Sequence, residues 1–251
     1  EYVTASKDDA SLKAWWPVVS EKVGDPLVKL QEQSGLIAAD SSIWEVHWNG
    51  QQKHFAYTTL TAATGLCWAA TLAEKVGDTA RATTYRAAGK KAQGALIAKL
   101  SAADGTLAQS SEDLAAGKGF LDAAAIEAVG FGLVDPKGKA AQATLASMQA
   151  KLIPVSGRGF MRNDDGGWYD SQEWVFVDLR TANVMRLGAS PAAADLLGWI
   201  TAQGTENFGL ISELHDATTA DYKGEMPMVG FGAGAYALAL IDRATGATPM
   251  P

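Results

Sequence analysis

Leu72-Ala73-Glu74-Lys75-Val76-Gly77-Asp78-Thr79 decides the fold class of this 251-residue chain. An Ala-rich apolar run from Thr58 reaches Val76, and Gly77 follows, where glycine can take the left-handed conformation that ends a helix. Asp78 then stands as the N-cap of a second run, Thr79 to Leu100, which carries Arg81, Arg86, Lys90 and Lys91 on a positive face. Two long helices separated by so short a stop and start must lie antiparallel, as a helical hairpin.

The same rhythm continues in both directions. Ser11 to Gln31 holds Leu12, Trp15, Trp16, Val19 and Val23 at helical spacing, with a break or fresh start expected at Asp25-Pro26. Lys118 to Gly130, Gly138 to Leu152, Ser171 to Leu187, Ser190 to Gln203 and Gly230 to Ala244 complete the predicted helices. Ser190-Pro191 reads as a capping Ser with Pro at the first helical position. Short connectors (Gly77-Asp78, Gly188-Ala189-Ser190) alternate with long ones at Ser34 to Ala56, Asp104 to Gly117, Val155 to Asp170 and Asn207 to Val229. The long connectors hold Trp, Gly and acidic residues, and long ordered loops in compact domains are commonly functional. An open solenoid should repeat a residue signature at fixed period, and none is visible. The expectation is one all-α domain over 1–251, a ring of hairpins with its site on the long-loop face.

Hydrophobic content of 47% with 20% charged residues is that of an ordinary globular chain. A net charge of −7, with Lys and Arg scattered among acidic residues, argues against nucleic acid. No apolar stretch reads as a membrane span and no signal peptide opens the chain. The start at Glu1 without Met reads as a trimmed, processed or excised product, and an exported (secreted or periplasmic) protein is the expectation. The lone Cys67 reads as a small buried hydrophobe. Of eight Trp, Trp68 and Trp199 sit in apolar periodic runs as core; several others lie in Gly- and Asp-rich segments, where they could stack on sugars.

Two acidic segments carry the candidate chemistry: Ile43-Trp44-Glu45 and Ser212-Glu213-Leu214-His215-Asp216. Each puts a carboxylate ahead of an Ala/Gly-rich helical run. A closed fold that brought them together would suit glycosidic bond cleavage, one carboxyl protonating the leaving oxygen and the other activating water. The alternative is two surface glutamates. His47 and His54 lie seven apart without a close third ligand, so they and His215 read as ordinary hydrogen-bonding histidines. No cofactor is expected. Calcium is the minor alternative at Asp104-Gly105 and Asp164-Asp165-Gly166, which lack regular ligand spacing. Gly130-Phe131-Gly132 lacks the strand that a phosphate loop needs.

These residues resemble glycoside hydrolase family 15, the glucoamylases with their glucodextranase-like and trehalase-like relatives. Ser42-Ile43-Trp44-Glu45, followed by Asn49-Gly50 and Phe55-Ala56-Tyr57-Thr58, is similar to the segment bearing that family's general acid. Ser212-Glu213-Leu214-His215-Asp216, with Phe231-Gly232-Ala233-Gly234 beyond it, is similar to the segment of the general base. Arg162-Asn163-Asp164-Asp165-Gly166-Gly167-Trp168-Tyr169, with Trp174, is similar to the loop whose Arg binds sugar hydroxyls and whose aromatics border the substrate. Leu72 to Asp78 looks like a turn common in these barrels. Three departures stand out: Val46 after the proposed acid, Glu173 where Pro precedes the loop's last Trp, and Phe231-Gly232 where fungal members open the last helix with Trp-Ser. They leave the two carboxylates intact but alter the pocket around them.

The resemblance implies an (α/α)6 toroid of six helical hairpins and inverting hydrolysis of α-linked glucosides. Glu45 would be the general acid, with a pKa raised by desolvation beside Trp44 and Trp48, and Glu213 the ionised general base. Trp44, Arg162, Trp168, Tyr169 and Trp174 would bind substrate; an ion pair of Arg162 with Asp164 or Asp165 is the alternative reading of that arginine. Glu45 falls early against the family pattern, which implies that about four N-terminal helices of the barrel are missing. A ring so interrupted exposes apolar helix faces, and a second polypeptide supplying the rest is the expected partner beside a carbohydrate substrate. A smaller rearranged ring or an excised fragment are the alternatives. A non-catalytic carbohydrate-binding or scaffolding subunit is the competing function, and a trehalase or unsaturated-uronide hydrolase a third.

Overall fold

The computed structural model describes residues 2–45, 51–223 and 230–249, with the side chains at 4, 230 and 231 outside the description. Val46, His47, Trp48 and Asn49-Gly50 lie outside the described residues, as do residues 224–229 and the side chain of Phe231; the expectations placed on them go no further. The described residues are mainly helical, as expected for an all-α fold. Where the sequence reads as one domain, the chain divides into two compact units, one up to Leu100 and one from Ser101 on.

The first unit opens with α1 (Tyr2–Ser6) and α2 (Asp9–Val18), followed by a widened π-helical stretch, Val19–Gly24, and α3 (Asp25–Leu30). Of the break or fresh start expected at Asp25-Pro26, the fresh start forms: α3 begins at Asp25, directly after the π-helical stretch. Pro26 stands at the start of α3, where its missing N–H is tolerated, and the helical path runs on through it. The deciding hairpin forms as read, from α4 (Ala56–Val76) and α5 (Thr79–Lys99). Gly77 sits at φ 82°, and the N–H of Asp78 donates to the Ala73 carbonyl at 2.9 Å, closing the helix end. The Asp78 carboxylate accepts from the N–H of Arg81 at 3.1 Å and starts α5. Between the helices Leu66, Ala69, Ala70, Tyr85 and Ala88 form a core on which Trp16, Val19, Leu27 and Val28 pack. A leucine as fully buried as Leu66 contributes about 1.5–3 kcal/mol, so the hairpin is stabilised by this seam rather than by propensity alone.

The second unit contains α6 (Ser111–Ala116), a 3₁₀ turn (Ala123–Ile126), α7 (Glu127–Gly130), α8 (Lys139–Lys151), α9 (Val175–Leu187), α10 (Ala192–Glu206) and α11 (Gly230–Thr245). Three two-residue strands, β1 (Glu173–Trp174), β2 (Leu214–His215) and β3 (Tyr222–Lys223), form one antiparallel sheet. Its register pairs Glu173 with His215 and Leu214 with Lys223. Val175, Leu179, Ala182, Leu197, Ile200, Ile211, Ala235 and Ala239 make the core joining α9, α10 and α11.

Three expectations are corrected here. The helix expected over Lys118 to Gly130 is reduced to the short turn and α7, because the side chain of Asp122 caps the N–H of Ala124 and starts the helical path only there. The helix expected from Ser171 begins at Val175, since Glu173 and Trp174 are drawn into pairing with β2. Ser190 does not cap α10 through its side chain; its N–H instead donates to the Met185 carbonyl at 2.8 Å.

Candidate active site

The loop before β1 and the approach to β2 bring one cluster together inside the second unit. Arg162 is held by backbone pairing: its N–H donates to the Asp170 carbonyl at 3.1 Å, and its carbonyl accepts from Ala123 at 2.8 Å. The intervening loop, 163–169, is tied by its own carboxylates. Asp164 accepts from the N–H of Leu121 at 2.9 Å, and Asp165 from that of Gly167 at 2.8 Å. In the other loop considered for calcium, Asp104 accepts from the N–H of Thr106 at 2.9 Å. These carboxylates therefore accept from backbone N–H groups, Asp104 and Asp165 within their own turns and Asp164 across the fold. Among the described residues no group of three His, Cys, Asp or Glu side chains converges as a metal site would.

Glu213 lies just ahead of β2, its carbonyl accepting from the N–H of Val175 at 3.3 Å. The Tyr169 hydroxyl donates to Glu213 Oε1 at 2.7 Å. Tyr169 stacks on Trp168 (centroids 6.0 Å apart) and meets Trp174 edge-on at 5.0 Å. The Arg162 guanidinium lies over both Tyr169 (5.5 Å) and Trp174 (5.0 Å). Three of the predicted residues, Arg162, Trp168 and Trp174, thus surround a fourth, Tyr169, which is Glu213's hydrogen-bond donor.

Their parts differ from expectation in two ways. Trp174 is only 5% exposed, and its indole N–H donates to the Tyr169 carbonyl at 3.0 Å. It supports Tyr169 from behind instead of offering a stacking face. Trp168, 63% exposed, does present its ring to solvent. Arg162 pairs with Asp170, not with Asp164 or Asp165, because Asp170 follows Tyr169 and is turned inward with it. Burial pushes the Asp170 carboxyl up to about 6 against the pull of Arg162, and neighbouring Asp165 adds to the rise. Beside Trp168, the Lys223 ammonium lies 5.5 Å over the ring and pairs with Asp216, holding that carboxyl down to about 2.

Glu45 belongs to the first unit. It ends a turn begun by Ser42, with its own φ at 54° and its N–H donating to the Ser42 carbonyl at 3.3 Å. Asp40 anchors that turn, accepting from the Ser42 N–H at 3.1 Å and from the Thr58 hydroxyl at 2.7 Å, so α4 fixes where the turn starts. Trp44 is half-buried, whereas Glu45 is exposed, not the desolvated carboxyl that the resemblance implies. His54 pairs with Glu32 at 3.0 Å.

Sequence reasoning missed Asp170 within the site and, buried behind it, Asp178 and, beyond its note as a departure, Glu173. Asp178 stands inside an apolar helical run, among Val175, Val177 and Leu179. An acidic residue at a core position was the signal available in the sequence.

No family model matches this chain, and no curated protein matches its sequence. Among solved structures it is similar to a bacterial glucoamylase complexed with acarbose, at TM-score 0.66 and 15% identity over 77% of this chain and 34% of that one. It is similar also to the glucoamylase from Saccharomycopsis fibuligera, at TM-score 0.62 and 13% identity over 83% of this chain and 58% of that one. A wild-type glycosidase matches at TM-score 0.58 and 20% identity, over 86% and 51% of the two chains. The chain therefore spans 34% to 58% of the length of these structures. No helix among the described residues is long and apolar enough to cross a membrane. At these identities the likeness carries the fold alone: this chain has the all-α fold class of the glucoamylase-like (α/α) toroids, over part of their length.

Proposed function

We propose that this chain carries the base-bearing part of an inverting glycoside hydrolase acting on α-linked glucosides, with Glu213 as general base and Glu45 as general acid. The observation supporting it most directly is the Tyr169–Glu213 hydrogen bond, set among Arg162 and Trp168 in a fold shared with glucoamylases. In this reading Glu213 takes a proton from water as the water attacks the anomeric carbon. Glu45 gives its proton to the departing glycosidic oxygen, and the positive charge of the oxocarbenium-like transition state builds between them. An inverting pair works with its carboxyls about 6.5–9.5 Å apart, which leaves room for the water. Exposed Trp168 offers a face to a sugar ring, and the Arg162 fork is suited to adjacent hydroxyls.

The missing length is read as a second polypeptide. In the second unit Leu238, Leu240 and Ile241 leave α11 with exposed apolar side chains, and in the first unit Trp15 and Val18 do the same for α2.

The test is maltooligosaccharide hydrolysis by the purified protein with whatever co-purifies, followed by proton NMR of the first product. β-Glucose as the initial anomer is expected, and α-glucose would exclude inversion. Glu213→Gln and Glu45→Gln should each lower kcat about 10²- to 10⁴-fold with the fold intact. Native mass spectrometry should show a second polypeptide; a lone 26.3 kDa species with full turnover would remove that partner. The exposure of Glu45 favours one competing reading, a carbohydrate-binding subunit without turnover. Binding of acarbose with no hydrolysis of any α-glucoside would establish that reading instead.

A further inference from the structure

Behind the Tyr169–Glu213 cluster, β1, β2 and the first turn of α9 carry polar side chains that the proposed chemistry does not use. Glu173 and Asp178 are wholly buried, and His215 is 1% exposed. Glu173 Oε1 accepts from the indole N–H of Trp199 at 2.7 Å and lies 3.0 Å from His215 Nδ1. A carboxylate can only accept, so His215 carries its proton on Nδ1. The imidazole is fixed on its other sides by stacking on Tyr222 (5.2 Å) and by the edge of Trp199 (5.8 Å).

The remaining oxygens tell more. Asp178 Oδ1 accepts from the N–H of Phe160 at 2.7 Å. Asp178 Oδ2 and Glu173 Oε2 are buried, and among the described residues no N–H or O–H donor reaches either. Both carboxyls crowd the same backbone atom. A Cβ on Gly159 would stand 2.3 Å from Asp178 Oδ2 and 2.5 Å from Glu173 Cδ. Two facing acceptors in a dry site repel unless one proton lies between them.

We propose that Glu173, Asp178 and His215 form a buried clamp, closed by one proton shared between the two carboxyls, that fixes β2 against β1 and so positions Glu213. Asp178 holds the proton and donates it to Glu173; Glu173 is the ionised acceptor of three donors. The acid strengths run the same way. Burial, then the charge of Glu173, drives the Asp178 carboxyl well above the usual range. Glu173 is opposed by burial yet held below its ordinary value by hydrogen bonds from His215, Asp178 and Trp199. The clamp sits where it can act on the site. Glu173 precedes Trp174, which backs Tyr169, and it pairs in register with His215, two residues beyond Glu213. These three are positioning residues, and their meaning for catalysis rests on the reading of Glu213 as the base.

The decisive comparison is between two amides. Asp178→Asn replaces an O–H donor by an N–H donor and keeps every bond of the clamp. Glu173→Gln turns an N–H donor towards Asp178, whose proton must leave; the negative charge then sits on Asp178, and the bonds from His215 and Trp199 to residue 173 fall to neutral strength, which loosens the clamp. Two readouts decide it: kcat and KM on maltooligosaccharides, and hydrogen exchange at the Val175 N–H, which donates to the Glu213 carbonyl. Glu173→Gln should lower kcat about 10- to 100-fold with KM little changed, as misplacing a reacting group does. It should also speed Val175 exchange about tenfold or more. Asp178→Asn should stay within about threefold of wild type on both readouts, since its donor is conserved. If Glu173→Gln does not fold, Trp199→Phe removes one donor to Glu173 Oε1 and should move both readouts the same way by less. Wild-type behaviour in Glu173→Gln, or equal damage from both amides, would overturn the clamp. If the wild-type protein hydrolyses no α-glucoside, the functional reading fails, and the exchange measurement still decides the clamp by itself.

Discussion

Tyr169 donates its hydroxyl to Glu213 Oε1 across 2.7 Å, and the Tyr169 ring is pinned by Trp168, Trp174 and Arg162. The candidate base is therefore oriented by a donor whose own position is set on three sides. Tyr169→Phe keeps the ring and removes only that donor. A hydrogen bond to a charged group is worth about 1.5–3 kcal/mol, so kcat should fall about 10- to 100-fold and the melting temperature should drop by several degrees. A change in KM alone, measured on the same maltooligosaccharides, would instead make Tyr169 a substrate contact.

Arg162 and Asp170 pair where each side chain is only 13% exposed. Removing the arginine strands the carboxylate. Arg162→Ala should cost about 3–5 kcal/mol at neutral pH, measured by urea unfolding. Arg162→Lys keeps the charge but loses the flat fork lying over Tyr169 and Trp174, so it should rescue only part of that loss.

Asp170 also gives the site a pH dependence with a definite sign. Its folded pKa of about 6 lies above the ordinary 3.8, so the native state binds this proton more tightly than the unfolded chain does. The stabilisation it contributes is complete below about pH 4 and is lost as the pH rises through about 6. Asp170→Asn should abolish that change. Unfolding free energies for both proteins between about pH 4 and pH 7 should converge at the acid end and separate at the neutral end, the asparagine protein being relatively more stable there. A constant difference across the range would refute this.

Gly159 takes φ 55°, with both buried carboxyls against it. Gly159→Ala meets two costs at once. The left-handed backbone is worth about 1–2 kcal/mol against alanine. Forcing a methyl into a packed interior adds about 1–3 kcal/mol. A total loss of about 2–5 kcal/mol is expected from denaturant unfolding, whereas Gly157→Ala, at φ 73° with nothing within 4 Å of its Cβ, should lose only the backbone part of about 1–2 kcal/mol.

Much of the helical framework was legible because its signals are local. The stop at Gly77 and the cap at Asp78 depend on residues adjacent in sequence, and α4 and α5 formed almost as read. The helix expected from Ser171 was not, because Glu173 and Trp174 pair with Leu214 and His215, some forty residues away. Helix propensity contains no record of such a partner. The site shows the same division. Arg162, Tyr169 and Glu213 were singled out through their motifs and lie together in the fold, whereas Asp170 displaced Asp164 and Asp165 as the partner of Arg162 only through the turn of the loop.

By itself the sequence determined an all-α chain of helical hairpins with long acidic and aromatic loops, because helix starts, stops and apolar periodicity are written within a few residues of one another. Only the tertiary structure decided that Tyr169 serves Glu213, that Trp174 supports instead of stacking, and that Glu173, Asp178 and His215 meet in a dry interior. Those outcomes depend on which groups lose their water together, and desolvation is a property of the packed chain.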